Sequence, residues 1–252
     1  MLKFSLCIEP VLTDLDFYDR IGAAAELGFD AVEFWEPTGL DVDRIANLAV
    51  KHKIAISLVS LLDIRGKRMN GDPKVVVANV RQSLKVAKDL GSSSMVVLAG
   101  LLEGRLDSQK SILIENLKRI ADLAVAADVT INIEALNTLV DHKGYYLDSS
   151  SVGFEIVKCV NCSHVKFLYD IYHMQIMEGN IIETITRNIE WIGHFHSAGV
   201  PGRHEHFLGE NDYRNIIKAI DSTGYQRYFG LEYWPSYDHH QSLSDVLVYL
   251  KS

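Results

Sequence analysis

Four apolar, strand-like runs are the most constraining feature of this sequence, because each carries a charged or imidazole side chain near its C-terminal end. The runs are TINIEA, VKFLYDIYH, WIGHFHSAG and YFGLEYWP, and the side chains belong to Glu134, Asp170, His196 and Glu232. These residues are 36, 26 and 36 positions apart, about the length of a strand followed by a helix. If the strands are parallel neighbours, their C-terminal ends meet, so the four side chains are expected to converge.

The rest of the chain repeats this alternation of strand and helix. Eight strands are predicted, centred near residues 7, 32, 56, 97, 133, 168, 195 and 231. The chain has 252 residues, close to the ~250 typical of an eight-stranded α/β barrel. No low-complexity or Pro/Gly-rich linker divides it. The pattern therefore predicts an α/β protein built as a single (β/α)8 TIM barrel, with residues 1–252 forming one domain.

The helix after the third strand is marked at both ends. Asp72 is suited to cap it and Pro73 to begin it, because the cap accepts a free N–H and proline has none to leave unpaired. Apolar residues then recur on one helical face, and Gly91 is predicted as the C-cap.

Charge and composition restrict the partners. The formal net charge is −8, and no clustered Lys and Arg residues suggest a nucleic-acid-binding face. No apolar run reaches the ~18 residues of a membrane span, and the first residues enter a strand without a signal-peptide pattern. We expect a cytoplasmic protein that binds a small molecule and neither nucleic acid nor membrane. Whether copies of the chain form a homo-oligomer is left open.

Cys159 and Cys162 form a CxxC motif, which in other proteins binds zinc or carries out redox chemistry. A zinc site needs a second ligand pair of similar spacing, and none is present. The pair also lies where a helix is predicted to end, so the helix dipole does not acidify its thiols. Neither function is expected here.

The four strand-end side chains predict a metal site. Alternation along the strands points them into the barrel, where ionised carboxylates are costly unless they are paired or bind a metal. The alternative is a structural ion-pair network, although no arginine lies within these strands. His194 points the same way as His196 but one step deeper, and is expected to be hydrogen-bonded and not a ligand.

The ligand types indicate which metal and which chemistry. Three carboxylates and one imidazole favour Mn²⁺ or Mg²⁺, with Co²⁺ and Zn²⁺ as less favoured alternatives. Glu134 and Glu232 come from different strands, so they can flank a substrate and act as base and acid. This arrangement predicts proton transfer between adjacent carbons.

The motifs around these residues resemble a known family. EALN, YDIYHMQ, AGVPGRHE and GLEYWP are similar to segments of the hydroxypyruvate isomerase family, which belongs to the xylose isomerase-like TIM barrels together with the ketose 3-epimerases. The resemblance covers the whole chain. It implies the same metal ligands and the same proton-transfer pair, and it implies that His173 and Arg203 contact substrate oxygens.

Two positions bear on the substrate. Hydroxypyruvate isomerases often place glutamine where His196 stands, and histidine there resembles the epimerases. The epimerases carry a second glutamate six residues after the counterpart of Glu134, where this chain has Val140. Arg203 lies in a glycine-flanked loop and is suited to bind a carboxylate with two parallel hydrogen bonds. We therefore expect a short hydroxy-keto acid, such as hydroxypyruvate with its isomer tartronate semialdehyde or a four-carbon 2-oxo acid. A ketose 3-epimerase is the alternative.

Two remote alternatives use the same barrel. A nuclease of the endonuclease IV branch needs a multi-metal cluster with more histidines on the early strands and a basic face. The other is a barrel that has kept the fold but lost the catalytic activity, although every group that the chemistry needs is present in the sequence.

Long loops after the third, fifth and seventh strands are expected to build the site, since loops at this end of a barrel carry function. They are LLDIRGKRMNGDP, a candidate lid, then NTLVDHKGYYLDSS and SAGVPGRHEHFLGENDY. Aromatic residues that are candidates for the pocket wall are Trp35, Trp234, Tyr145 and Tyr146.

Overall fold

A computed structural model of the chain describes residues 2–66 and 68–252; Met1 and Lys67, the latter in the loop proposed as a lid, lie outside it. Within the described residues, the eight predicted strand centres all fall in observed strands. The strands are β1 (Lys3–Cys7), β2 (Ala31–Phe34), β3 (Ala55–Ser60), β4 (Ser94–Leu98), β5 (Thr130–Glu134), β6 (Val165–Asp170), β7 (Ile192–Ser197) and β8 (Tyr228–Leu231).

Each strand pairs in parallel with the next along the chain, and β8 pairs with β1, so the sheet closes. Helices follow the strands. They are α1 (Asp19–Glu26), α2 (Val42–His52), α3 (Pro73–Asp89), α4 (Leu106–Ala127), α5 (Ser150–Val160), α6 (Ile171–Met177), α7 (Ile181–Asn188), α8 (Tyr213–Ser222) and α9 (His239–Lys251), with a 3₁₀ turn at Ile189–Trp191. The prediction of a single (β/α)8 TIM barrel is confirmed.

Helix α3 shows the expected capping. The Asp72 side chain accepts hydrogen bonds from the backbone N–H groups of residues 74 and 75, and Pro73 is the first helical residue. The C-cap is Leu90, one residue earlier than predicted. Gly91 follows it at a φ of +71°, because the chain must turn left-handed to leave the helix and glycine does so without steric cost.

Alternate residues of each strand face the surrounding helices or the barrel interior. In β5, Ile131 and Ile133 belong to the buried apolar core, whereas Asn132 is buried and donates a hydrogen bond to Oγ of Ser94, 2.7 Å away. The amide nitrogen of this inward side chain is thus paired below the mouth, whereas its Oδ1 has no hydrogen-bond partner among the described residues. The side chain of Glu134, two positions on, reaches the mouth itself.

Cys159 lies in the last turn of α5 and Cys162 just beyond it, and both are free thiols. This is the helix C-terminal position expected from the sequence. Among the described residues, no helix is both long and apolar enough to cross a membrane.

Candidate metal centre

Glu134, Asp170, His196 and Glu232 come together at the C-terminal mouth of the barrel. The first two end β5 and β6, the third is next to last in β7 and the fourth directly follows β8. One ligand atom from each lies within 4.8 Å of the others, and all four residues are buried. The structure therefore brings together the four residues singled out in the sequence. Their role as ligands stays a prediction.

The two ring nitrogens of His196 face different neighbours. Nδ1 lies 3.3 Å from Oε1 of Glu134 and 3.6 Å from Oε2 of Glu232, so it faces the other carboxylates of the group. Nε2 lies 2.9 Å from Oε1 of Glu33, a charge contact without an aligned hydrogen bond among the described residues. If Glu33 holds the proton on Nε2, the lone pair of Nδ1 is free to bind a cation.

One arginine enters the group from the loop after β7. Nη2 of Arg203 donates a hydrogen bond to Oε2 of Glu232 and lies 3.5 Å from Oδ2 of Asp170. The guanidinium packs 4.9 Å from the ring of Tyr172 and 5.0 Å from that of Trp234. The structural ion-pair network expected as the alternative is therefore observed in part, since Arg203 is the one arginine of the described chain beside the three carboxylates.

The negative charges of this group are not balanced by positive charges from the neighbouring side chains that the structure describes. The pKa of Asp170 is raised to about 7, mainly by burial and also by the nearby Glu232 and Glu134, against the lowering effect of Arg203. Burial alone would lower the pKa of His196, but Glu232 and Glu33 bring it well above its ordinary value. A divalent cation would relieve both effects, and three carboxylates with one imidazole suit such an ion. The residues therefore fit a metal such as Mn²⁺ or Mg²⁺.

Glu33, in β2, is a site residue that the sequence argument missed. It is buried, and its Oε2 lies 2.9 Å from Nε2 of His194 and accepts a hydrogen bond from Ser57 of 2.9 Å. Burial would raise the pKa of Glu33, but the imidazoles of His194 and His196 hold it far below its usual range. Glu33 thus joins both histidines. His194 makes the hydrogen-bonding contact expected of it, although Glu33, His194 and His196 also form a second group that could hold a metal.

Gly230 of β8 makes room for this network. A Cβ there would lie 2.5 Å from Oε1 of Glu33 and 2.9 Å from Nε2 of His194, both too close. The sequence did carry a signal for Glu33. The segment AVEFW is an apolar run interrupted by one charged side chain, the same pattern that identified the other four residues.

Glu9, just after β1, was also missed. Its Oε1 accepts hydrogen bonds from the backbone N–H groups of Trp35 (2.8 Å) and Glu36 (3.3 Å). Burial raises the pKa of Glu9 to about 7. This carboxyl lies on the cavity wall and fixes the chain that follows β2, so that the indole N–H of Trp35 reaches Glu232.

His173 lies in the first turn of α6 and is fully buried. Its Nδ1 is 2.7 Å from the side-chain nitrogen of Asn137, which makes Nδ1 the acceptor and leaves the proton on Nε2. Burial lowers the pKa of His173 well below its ordinary value, so the ring is neutral. Nε2 is 3.4 Å from Oδ2 of Asp170 but makes no aligned hydrogen bond within the described chain. A neutral N–H donor is therefore available beside the carboxylates, although the ring also packs on Tyr172 as a purely structural histidine would.

A cavity of about 740 Å³ opens above this group. Trp35, Trp234 and Tyr145 line it, as expected, together with His173 and Arg203. The loop after β3 contributes residues 64, 65 and 68, and the loop after β5 contributes residues 141 to 143. A substrate in this cavity would therefore be enclosed by the three predicted loops and by the strand ends.

Two residues that the sequence connected with the substrate pocket do not line the cavity. Tyr146 is not among the described residues that line the cavity, and its hydroxyl donates to the carbonyl oxygen of Leu106. Val140 is 67% exposed and is likewise not among those lining residues, whereas the neighbouring Asp141 is. The valine at position 140 therefore says little about the substrate.

Comparison with known proteins identifies the family. The family model for the xylose isomerase-like TIM barrel matches residues 21–252. The chain belongs to the xylose isomerase-like TIM barrel family. The 2-oxo-tetronate isomerase of Cupriavidus necator is 32% identical over 249 residues, with 93% of this chain and 94% of that protein covered. The hydroxypyruvate isomerase of Escherichia coli is 30% identical over 244 residues, with the same shares covered.

One similar solved structure is that of an AP endonuclease of family 2 from Brucella melitensis. It is 29% identical, covers 99% of each chain and superposes with a TM-score of 0.92. The resemblance to the hydroxypyruvate isomerases is thus confirmed, and this member of the xylose isomerase-like family is an isomerase.

Proposed function

We propose that the chain is a metal-dependent isomerase that interconverts a small hydroxy-keto acid and its aldehyde isomer, of the hydroxypyruvate and tartronate semialdehyde type. The observation that carries the proposal is the convergence of Glu134, Asp170, His196 and Glu232, of which Glu134, His196 and Glu232 line one cavity. The relatives named hydroxypyruvate isomerase and 2-oxo-tetronate isomerase support the substrate class.

The residues divide the work by their chemistry. A divalent ion held by the four ligands would polarise the substrate carbonyl. Glu134 and Glu232 would approach the reacting carbons from β5 and from the end of β8, so one takes a proton from the hydroxyl-bearing carbon and the other returns a proton to the carbonyl carbon through an enediolate. The hydroxyl proton of the first carbon moves to the oxygen of the second, which balances the new aldehyde and the new hydroxyl group. The burial of both glutamates keeps water from this exchange.

His173 and Arg203 are proposed to hold substrate oxygens. The neutral His173 donates through Nε2, whose proton has no aligned acceptor among the residues described. Arg203 keeps its positive charge, because Glu232 and Asp170 raise its pKa against the lowering effect of burial. Arg203 lies beside Glu232, one of the two carboxylates that would move the proton, and Nε2 of His173 lies 3.4 Å from Oδ2 of Asp170 in the same group.

The runner-up is a ketose 3-epimerase, which the histidine at position 196 favours. It would use the same carboxylates on a neutral sugar, so the reaction type alone does not separate the two. A nuclease is a weaker candidate despite the similarity to an AP endonuclease of family 2, because a net charge of −8 opposes binding to nucleic acid.

A substrate panel tests the proposal. Protein freed of metal with EDTA and then reloaded with Mn²⁺ would be incubated with hydroxypyruvate, a four-carbon 2-oxo acid, D-fructose or D-tagatose, and DNA containing abasic sites, and products followed by NMR or electrophoresis. We expect isomerisation of a 2-oxo acid only in the Mn²⁺-loaded protein. Epimerisation of the ketoses without any activity on 2-oxo acids would replace the assignment by the epimerase, and DNA cleavage would replace it by the nuclease.

Metal binding should also stabilise the fold. A ligand that binds only the folded state at 100 times its dissociation constant raises the free energy of unfolding by about 2.7 kcal/mol. We therefore expect EDTA-treated protein to unfold at a lower urea concentration than the same protein with Mn²⁺. Asp170→Asn should lose most of this difference. An identical unfolding midpoint with and without Mn²⁺ in the unchanged protein would argue that the carboxylates form only an ion-pair network.

A further inference from the structure

Arg68 is a cavity residue whose positive charge has no assigned use. It lies in the loop between β3 and α3 and borders the main cavity and a smaller one of about 150 Å³ beside it. Its Nη1 is buried and has no hydrogen-bond partner among residues 2–66 and 68–252. Burial lowers the pKa of Arg68, against the raising effects of Tyr145 and Asp63. An anion placed against Nη1 would satisfy this donor.

Arg203, the arginine that the sequence suggested for a substrate carboxylate, is placed differently. Its Nη2 already faces Glu232 and Asp170. A substrate carboxylate beside it would approach the carboxylates of the candidate metal centre, and like charges in a buried site repel. Arg203 is therefore suited to hold Glu232 and neutral substrate oxygens, while an anionic group is better accommodated elsewhere.

The part of the cavity wall that contains Arg68 is better suited to an anionic group. Arg65 and Lys143 line the same cavity. Of the carboxylates on this wall, Glu36 accepts hydrogen bonds from the backbone N–H groups of residues 38, 63 and 64, and Asp141 accepts from Asn137 and Tyr172. These two carboxylates are committed to holding the loops. Their hydrogen bonds leave the charge of both carboxylates in place, so Arg65, Arg68 and Lys143 stand against these two and against Asp63, which acts on Arg68.

Tyr145 connects this wall to the metal centre. Its hydroxyl donates to the backbone oxygen of Glu134 (3.1 Å) and accepts from the N–H of Ala99 (2.6 Å), so the ring is fixed on the ends of β4 and β5. Burial raises the pKa of Tyr145, Glu134 raises it and Arg68 lowers it. Arg68 and Glu134 thus line the same cavity and both act on the same phenol.

We propose that Arg68 binds the carboxylate of the substrate while the carbons that exchange a proton lie between Glu134 and Glu232. The proposal rests on the function proposed above and specifies the acid end of its substrate. A guanidinium binds a carboxylate through two parallel N–H groups, which lysine cannot reproduce. A neutral ketose has no group that needs Arg68.

Binding of a non-reacting acid tests this without turnover. D-Glycerate carries the carboxylate but no carbonyl, and glycerol is its neutral counterpart. Isothermal titration of the Mn²⁺-loaded protein should show D-glycerate binding more tightly than glycerol. Arg68→Gln should weaken D-glycerate at least ~10-fold, the effect of losing a charged hydrogen bond, and leave glycerol and Mn²⁺ affinity unchanged. Arg81→Gln, the same change at an exposed arginine of α3, should alter neither ligand.

The outcomes separate this proposal from the proposed function. Arg68→Lys and Arg68→Gln should raise KM for hydroxypyruvate at least ~10-fold with a smaller change in kcat, and thermal melts would show that both variants fold. If the unchanged protein turns over hydroxypyruvate and these variants keep its KM and its D-glycerate affinity, Arg68 is not the anchor and the isomerase assignment survives. If no 2-oxo acid is turned over, the isomerase assignment fails, and D-glycerate titration still decides on Arg68. Loss of D-glycerate binding in Arg203→Lys but not in Arg68→Gln would transfer the carboxylate to Arg203.

Discussion

Replacing Glu134 or Glu232 by glutamine is expected to lower kcat for hydroxypyruvate at least ~100-fold, the usual contribution of a general acid or base. Glutamine keeps the size of the side chain and one oxygen ligand but cannot accept the proton. Both carboxylates lie within the group of converging ligand atoms, in which Asp170 is the remaining carboxylate. Initial rates at saturating Mn²⁺ and substrate, with bound Mn²⁺ measured in each variant, provide the test.

Asp170→Asn is the matched control, because it removes a buried carboxylate of the same group without removing either member of the proton-transfer pair. It should weaken Mn²⁺ binding but recover a larger share of kcat at saturating Mn²⁺. Glu155→Gln, which removes an exposed carboxylate 2.9 Å from Lys110, should leave kcat unchanged.

Isotope labelling examines the same step independently. Turnover in D₂O should place deuterium on a substrate carbon. Complete migration of a labelled hydrogen between the two carbons would indicate hydride transfer, and near-normal kcat in both glutamine variants would show that these carboxylates do not move the proton.

The barrel could be predicted from sequence because each strand carries its own local signal. Apolar runs of strand length separated by helical patterns gave eight centres, and each lies within an observed strand. Capping was equally local, since Asp72 and Pro73 mark the start of α3. The four strand-end side chains could be grouped for a different reason: parallel strands in a closed barrel end on one side, so topology alone brings distant residues together.

Contacts that depend on how the loops fold over the barrel mouth could not be predicted from the sequence. Arg203 reaches Glu232 and Asp170 from a loop, and no periodic pattern fixes the direction of a loop side chain. Val140 shows the same limit, because it was assigned a meaning by its spacing from Glu134 yet is exposed. Glu33 differs, since its strand carries the same pattern as the strands of the other four residues.

Glu33 also carries the second large expected effect. Replacing it by glutamine should lower the free energy of unfolding by about 3–5 kcal/mol, the range for breaking a buried ion pair. The carboxylate faces Nε2 of both His194 and His196, each 2.9 Å away. A glutamine offers one acceptor oxygen, which can serve one imidazole. Its NH₂ group would then face the N–H of the second imidazole, and two donors cannot form a hydrogen bond. Urea denaturation measures the loss.

The same variant should weaken Mn²⁺ binding by about 10–100-fold, as is typical when the partner that orients a ligating histidine is removed. Without Glu33, nothing holds the proton of His196 on Nε2, and Nδ1 is protonated for part of the time. Ser57→Ala is the matched control, because it removes one hydrogen bond to Glu33 but leaves the contact with His196. It should cost about 1 kcal/mol and leave Mn²⁺ affinity nearly unchanged. Equal Mn²⁺ affinity in Glu33→Gln and in the unchanged protein would mean that Glu33 stabilises the barrel floor without orienting His196, and His196 would then have to be oriented by Glu134 and Glu232 alone.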